Sequence, residues 1–153
     1  MRRAALLLVL TLAPLVARAE DRVVTRHYPV SALTAAGLER EMQARGPQGF
    51  WAYTTWNVDW TGACDVSLTV NYTLPEHLRP EAMTPELHAR WQAMLAALVR
   101  HEQGHAALGE KARRAVRAAK CRDTGPIFAR IAAEERAYDA QTRHGARDGV
   151  TLR

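Results

Sequence analysis

Residues 84–120 read TPELHARWQAMLAALVRHEQGHAALGEKARRAVRAAK, and the fold turns on whether this run is one helix. Thr84 offers a capping hydroxyl, Pro85 suits a first helical position where no N–H is needed, and Glu86 puts an acid in the first turn. Behind them Leu87, Trp91, Leu95, Leu98, Glu102, His105, Leu108, Ala112 and Val116 step by three or four residues, the spacing of one helical face. The spacing predicts a helix over about 85–120. Its basic end, with Lys111, Arg113, Arg114, Arg117, Lys120 and Arg122, reads as a solvated terminus where cations also suit the helix dipole.

The apolar stripe turns polar at HEQGH, residues 101–105. A His-Glu-x-x-His string on a helix is a signature of zinc hydrolases. Four helical residues rise ~6 Å and turn ~400°, so His101 and His105 project from one face and can share one ion. Glu102 can reach a water on that ion without being a ligand. Neutral imidazoles leave zinc electron-poor enough to bring a zinc-bound water toward a pKa of ~7, with Glu102 as general base to the attack on an amide carbonyl. The bland reading is a polar patch of hydrogen-bonded imidazoles; helical placement, the flanking stripe and export together favour zinc. Gly104 costs ~1 kcal/mol relative to Ala inside a helix, and it would let another segment come close.

A catalytic zinc needs a third protein ligand. The metzincin arrangement asks for Gly at position 108 and His at position 111; Leu108 and Lys111 exclude it. Downstream, EERAYDAQTRHG supplies Glu135, as in thermolysin-like enzymes, Asp139, and His144 at the expected end of the last helix. His88 lies roughly 220° round the helix from the motif and faces elsewhere. His77 and His27 fall in loop and strand contexts.

The leader MRRAALLLVLTLAPLVARA, residues 1–19, has Arg2 and Arg3 ahead of an apolar run and closes on a small-x-small triplet. It reads as a secretory signal peptide cut after Ala19, too short to span a bilayer, which takes ~20 apolar residues. Its three arginines leave with it, so 18 basic residues remain against 16 acidic ones and the net charge falls from +5 to +2. That excludes nucleic acid as an expected partner. Cys64 and Cys121 would meet an oxidising compartment, and a disulfide between them would close a long loop worth ~4 kcal/mol in the chain-entropy model. A periplasmic or secreted bacterial protein is expected, with no membrane span after cleavage.

Residues 20–153 then form a single domain. RVVTRHYPV (22–30) reads as a strand, and Thr34 caps a helix to about Arg45 that GPQG stops. FWAYTTWNVDW and DVSLTVNYTL alternate with period two around TGAC, so 50–74 reads as an antiparallel pair. One face carries Phe50, Ala52, Thr54, Trp56, Val58 and Trp60, read as core. A last helix starts near Thr124, with Ile127, Ile131, Glu135, Tyr138 and Thr142 inward and Gly145 as its stop. The class is α+β: a small antiparallel sheet, a long active-site helix and a C-terminal helix.

HYPVSALTAAGLEREMQARGP, WAYTTWNVDW, VNYTLP, HEQGHA and YDAQTRHG, with Gly149 downstream, cover nearly the whole mature chain. Through these segments the sequence resembles a bacterial family of predicted secreted zinc-dependent proteases, carried as a domain of unknown function. The resemblance implies a zincin-like fold and a metalloprotease role. It pairs HEQGH with Tyr138, Asp139, Thr142, His144 and Gly145, which implies His144 as third zinc ligand and Asp139 as its outer partner. The expected function is an exported metallopeptidase acting on a protein, a peptide or the peptide of the cell wall. The alternative is a non-catalytic zinc-binding periplasmic protein for binding or assembly.

Overall fold

A computed structural model describes residues 20–153; the expected signal peptide, residues 1–19, lies outside them. Strand β1 (Arg22–Val30), helix α1 (Ala35–Arg45), strands β2 (Tyr53–Trp60) and β3 (Val66–His77), and helices α2 (Pro85–Ala118) and α3 (Thr124–Thr142) follow in order. Short 3-10 turns lie at Pro47–Gly49, Pro80–Ala82 and Ala146–Asp148. Both capping threonines act as expected: Thr34 accepts the Gly37 N–H at 3.1 Å and Thr84 the Leu87 N–H at 3.3 Å. Each satisfies a donor that the first helical turn would otherwise leave orphaned.

The fold is α+β, with β3 at the centre of three strands. The expected hairpin is present, β2 running antiparallel to β3 from Tyr53–Thr73 to Trp60–Val66. On the other side β1 runs parallel to β3, from Arg22–Thr69 to Val30–His77. The sheet is therefore mixed rather than wholly antiparallel. A parallel neighbour needs a long return connection, and α1 together with β2 provides it.

Helix α2 has 34 residues, about 51 Å at the usual rise. It packs across the sheet and separates two apolar cores. The first gathers Val30, Leu38, Met42, Ala52, Leu87, Trp91, Met94 and Leu98, and the C-terminal tail returns to close it with Val150 and Leu152. The second packs Val58, Val66, Leu68 and Val70 of the sheet against Ala112 and Val116 of α2 and Ile131 of α3. Each aliphatic side chain buried this way contributes roughly 1.5–3 kcal/mol relative to exposure. Met94, Ala97 and Gly109 join the stripe that spacing predicts, while Leu95 and Leu108 are only half-buried.

The Cys64–Cys121 disulfide is formed, with Cα atoms 5.7 Å apart, and ties the β2–β3 loop to the segment after α2. Part of the basic end is tethered rather than solvated. Arg113 bridges Glu110 and Asp21, Arg117 donates to the Val66 carbonyl at 3.0 Å, and Lys111 pairs with Glu134. Helix α3 stops at Thr142, earlier than Gly145, because Arg143, His144 and Gly145 all take left-handed backbone (φ of 53°, 51° and 79°). Among the described residues no helix is long and apolar enough to cross a membrane.

Candidate metal centre

Between the two cores the inward face of α2 turns polar. His101 and Glu102 are only 4% and 5% exposed, and buried polar groups persist only with partners. His101 has one on each nitrogen: Nδ1 lies 3.3 Å from Asp148 Oδ2 and Nε2 lies 3.4 Å from Asp139 Oδ1. His105 repeats the pattern, with Nδ1 on Glu135 Oε2 and Nε2 3.1 Å from the same Asp139 oxygen. Donor atoms of His101, His105 and Asp139 all lie within 4.8 Å of one another. In a tetrahedral site with bonds of ~2.1 Å, neighbouring donors stand ~3.4 Å apart. The observed separations fit a small ion.

The carboxylates behind the imidazoles fix which nitrogen faces the cluster. A ligating His ordinarily gives its other N–H to a carboxylate or carbonyl, which sets the tautomer and ring orientation. Asp148 and Glu135 stand in those positions for His101 and His105. Glu135 is itself held by the Trp56 Nε1–H at 2.8 Å. Glu135, a third-ligand candidate by sequence, thus stands behind His105, and Asp148, which no sequence pattern marks, stands behind His101. Burial opposes protonation of His105, but the Glu135 hydrogen bond and the charges of Glu135, Asp139 and Glu102 outweigh it and raise its pKa.

Glu102 shares the floor. Burial pushes its carboxyl above the usual range, partly offset by the Thr54 hydroxyl and by His105 and His101. Thr54 Oγ1–H donates to Glu102 Oε2 at 2.6 Å. Strand β2 therefore delivers both Thr54 and Trp56 from the face expected to be core.

Helix α3 closes on the site through Tyr138. Its ring stacks on His101 with centroids 5.0 Å apart and meets His105 edge-on, and its hydroxyl donates to the His101 carbonyl at 3.1 Å. A Cβ at residue 104 would come within 2.2 Å of the Tyr138 oxygen, so Gly104 admits this ring. After α3 the left-handed turn presses back on the site. Thr142 Oγ1 accepts the Gly145 N–H at 3.3 Å, and a Cβ at 145 would meet Val150 Cγ2 at 2.6 Å and His101 Cγ at 3.1 Å. His144 stands outside the three-residue group: its side chain is 60% exposed, its Nδ1 lies 3.6 Å from Asp139 Oδ1, and its ring rests against Phe50. His77 is structural, accepting the Arg79 N–H on Nδ1 and meeting the Ala32 carbonyl with Nε2. His88 and His27 are remote from the cluster, His88 beside Gln92.

Above this floor opens a cleft of about 590 Å³, with Glu135, Arg136 and Asp139 of α3 along one wall and residues 49–54 along another. Residues 25–145 match the family described as bacterial protein of unknown function (DUF922). The chain belongs to that family. The DUF922 match takes in the histidine pair, Glu102, Asp139 and His144, and ends before Asp148. No curated protein and no solved structure matches the chain.

Proposed function

We propose that this DUF922 protein is an exported zinc-dependent peptidase, with His101, His105 and Asp139 as ligands and Glu102 as general base. One observation carries the reading. Carboxylates hold both Nδ1 atoms, so both Nε2 atoms turn to Asp139 on the floor that also holds Glu102. Two imidazoles and a carboxylate are the donor number and type of a catalytic zinc site. Zinc there supplies Lewis acidity, polarising a carbonyl and acidifying a water.

Glu102 takes a proton from the attacking water, whose oxygen adds to the carbonyl carbon. As the C–N bond breaks, Glu102 returns the proton to the departing amine. Its buried position keeps the carboxyl more basic than an exposed one, and Thr54 holds it in one orientation. Strand β2 is a sheet edge whose first residues line the cleft, so an extended peptide can lie along it as an added strand. The leader and the disulfide support an extracytoplasmic site of action. Protein, peptide and cell-wall peptide are the substrates that such a site accommodates.

The decisive variant is Glu102→Gln. It is expected to retain zinc and to lose at least ~100-fold in turnover of a peptide library or of cell-wall fragments. Unchanged turnover would remove Glu102 from the chemistry. His144, implied as third ligand by the family resemblance, competes with Asp139 for that place. Zinc released by Asp139→Ala and kept by His144→Ala supports the assignment above; the reverse result exchanges the two roles.

A further inference from the structure

Arg136 is the one lysine or arginine among the described residues that line the cleft. It stands next to Glu135 and three residues before Asp139 on α3, about 60° round the helix from Asp139 and about 4.5 Å along its axis. Asp139, three residues on, would be its natural partner, yet both acids are engaged elsewhere. Glu135 holds His105 and Trp56, and Asp139 faces the imidazoles. The Arg136 side chain makes no hydrogen bond or ion pair within the described residues. Its guanidinium is a free planar cation at the wall of a cleft whose acidic residues are Glu102, Glu135 and Asp139.

Those carboxylates repel an anion, and Arg136 is the lysine or arginine of the lining that attracts one. A guanidinium matches a carboxylate with two parallel hydrogen bonds and is more weakly hydrated than an ammonium, so it gives up water readily for such a partner. We propose that Arg136 binds the terminal carboxylate of the substrate, making the substrate class a peptide cut close to its free C-terminus. This rests on the hydrolytic reading above and narrows it. Arg136 accepts the end of the chain at the wall of the cleft, beside the floor that holds Glu102.

The test compares N-acetylated peptides that end in a free acid with the same peptides ending in a carboxamide. Calorimetry on the metal-free protein measures binding without any contribution of a metal to holding the acid. Wild type is expected to bind the acids about tenfold more tightly, as for a hydrogen bond to a charged group. Arg136→Gln is expected to lose that preference and Arg136→Lys to keep part of it. Zinc-loaded protein should show the same preference in KM and cut within a few residues of the free end. A wild type with no acid-over-amide preference overturns the proposal, as does a preference that survives in Arg136→Gln. Preference for an internal Glu over Gln, with no effect of the terminus, assigns Arg136 to a side chain and also overturns it. Acid-selective binding without turnover of any peptide keeps the carboxylate site and removes the hydrolytic reading; turnover without selectivity does the opposite.

Discussion

The two ends of α2 are held in unlike ways. At its start the helix is wrapped by apolar side chains from α1, β1 and the C-terminal tail, with no covalent link. At its finish it lies on the sheet and α3, its last turn tied to β3 by Arg117, and the Cys64–Cys121 bridge closes just beyond it. Between them sits the turn that buries His101 and Glu102 with His105 beside them. Burying that much polarity on one helix is costly unless neighbours supply partners, and those partners come from both sides. Thr54 and Trp56 arrive from the sheet, Glu135, Tyr138 and Asp139 from α3, and Asp148 from the tail. Stability resides at the ends of α2 and chemistry in the middle; the first end shares the C-terminal tail with the site, the second shares α3 and β2.

That difference can be broken from either end. Replacing Cys64 and Cys121 together by Ala removes the covalent tie and is expected to cost ~4 kcal/mol in denaturant unfolding. The zinc affinity of the folded protein should be little changed, because the apolar contacts of the second core also hold α2, α3 and the sheet together. Loss of zinc from the still-folded variant would show the ends to be coupled. Leu152→Ala opens a cavity in the first core and is expected to cost ~3 kcal/mol. It should also weaken zinc binding, since Leu152, which is wholly buried, anchors the tail that carries Asp148 to His101. Zinc binding as tight as wild type would mean that Asp148 holds its place without the tail. The smallest change, Asp148→Asn, is aimed at the link alone. It should lower zinc affinity by ~10–100-fold with little change in the melting of the metal-free protein. An unaffected affinity would leave Asp148 without a role in the centre.

The same contrast explains what was legible in the sequence. Both capped helices, the hairpin and the pairing of His101 with His105 rest on local spacing, and they are found where the spacing puts them. The parallel pairing of β1 with β3 joins segments more than 40 residues apart, and alternation within a strand carries no record of its neighbour. Thr54 sits at an inward position of β2 and read as core, because a hydroxyl facing a buried carboxylate leaves no pattern of its own. The spacing puts Glu135 inward on α3, but a carboxylate that grips an ion and one that grips an imidazole N–H occupy the same helical position. Asp148 lies in a 3-10 turn without periodicity, 47 residues beyond its partner. Only the return of Val150 and Leu152 to the first core brings it there.

The proposed centre has His101, His105 and Asp139 around zinc. The most direct measurement is the metal content of the mature protein, purified without chelators, by elemental mass spectrometry. About one zinc per chain is expected in wild type, falling below ~0.1 in His101→Ala and in His105→Ala. A wild-type protein that itself carries less than ~0.1 zinc per chain, and takes up none when it is supplied, has no zinc centre at these residues.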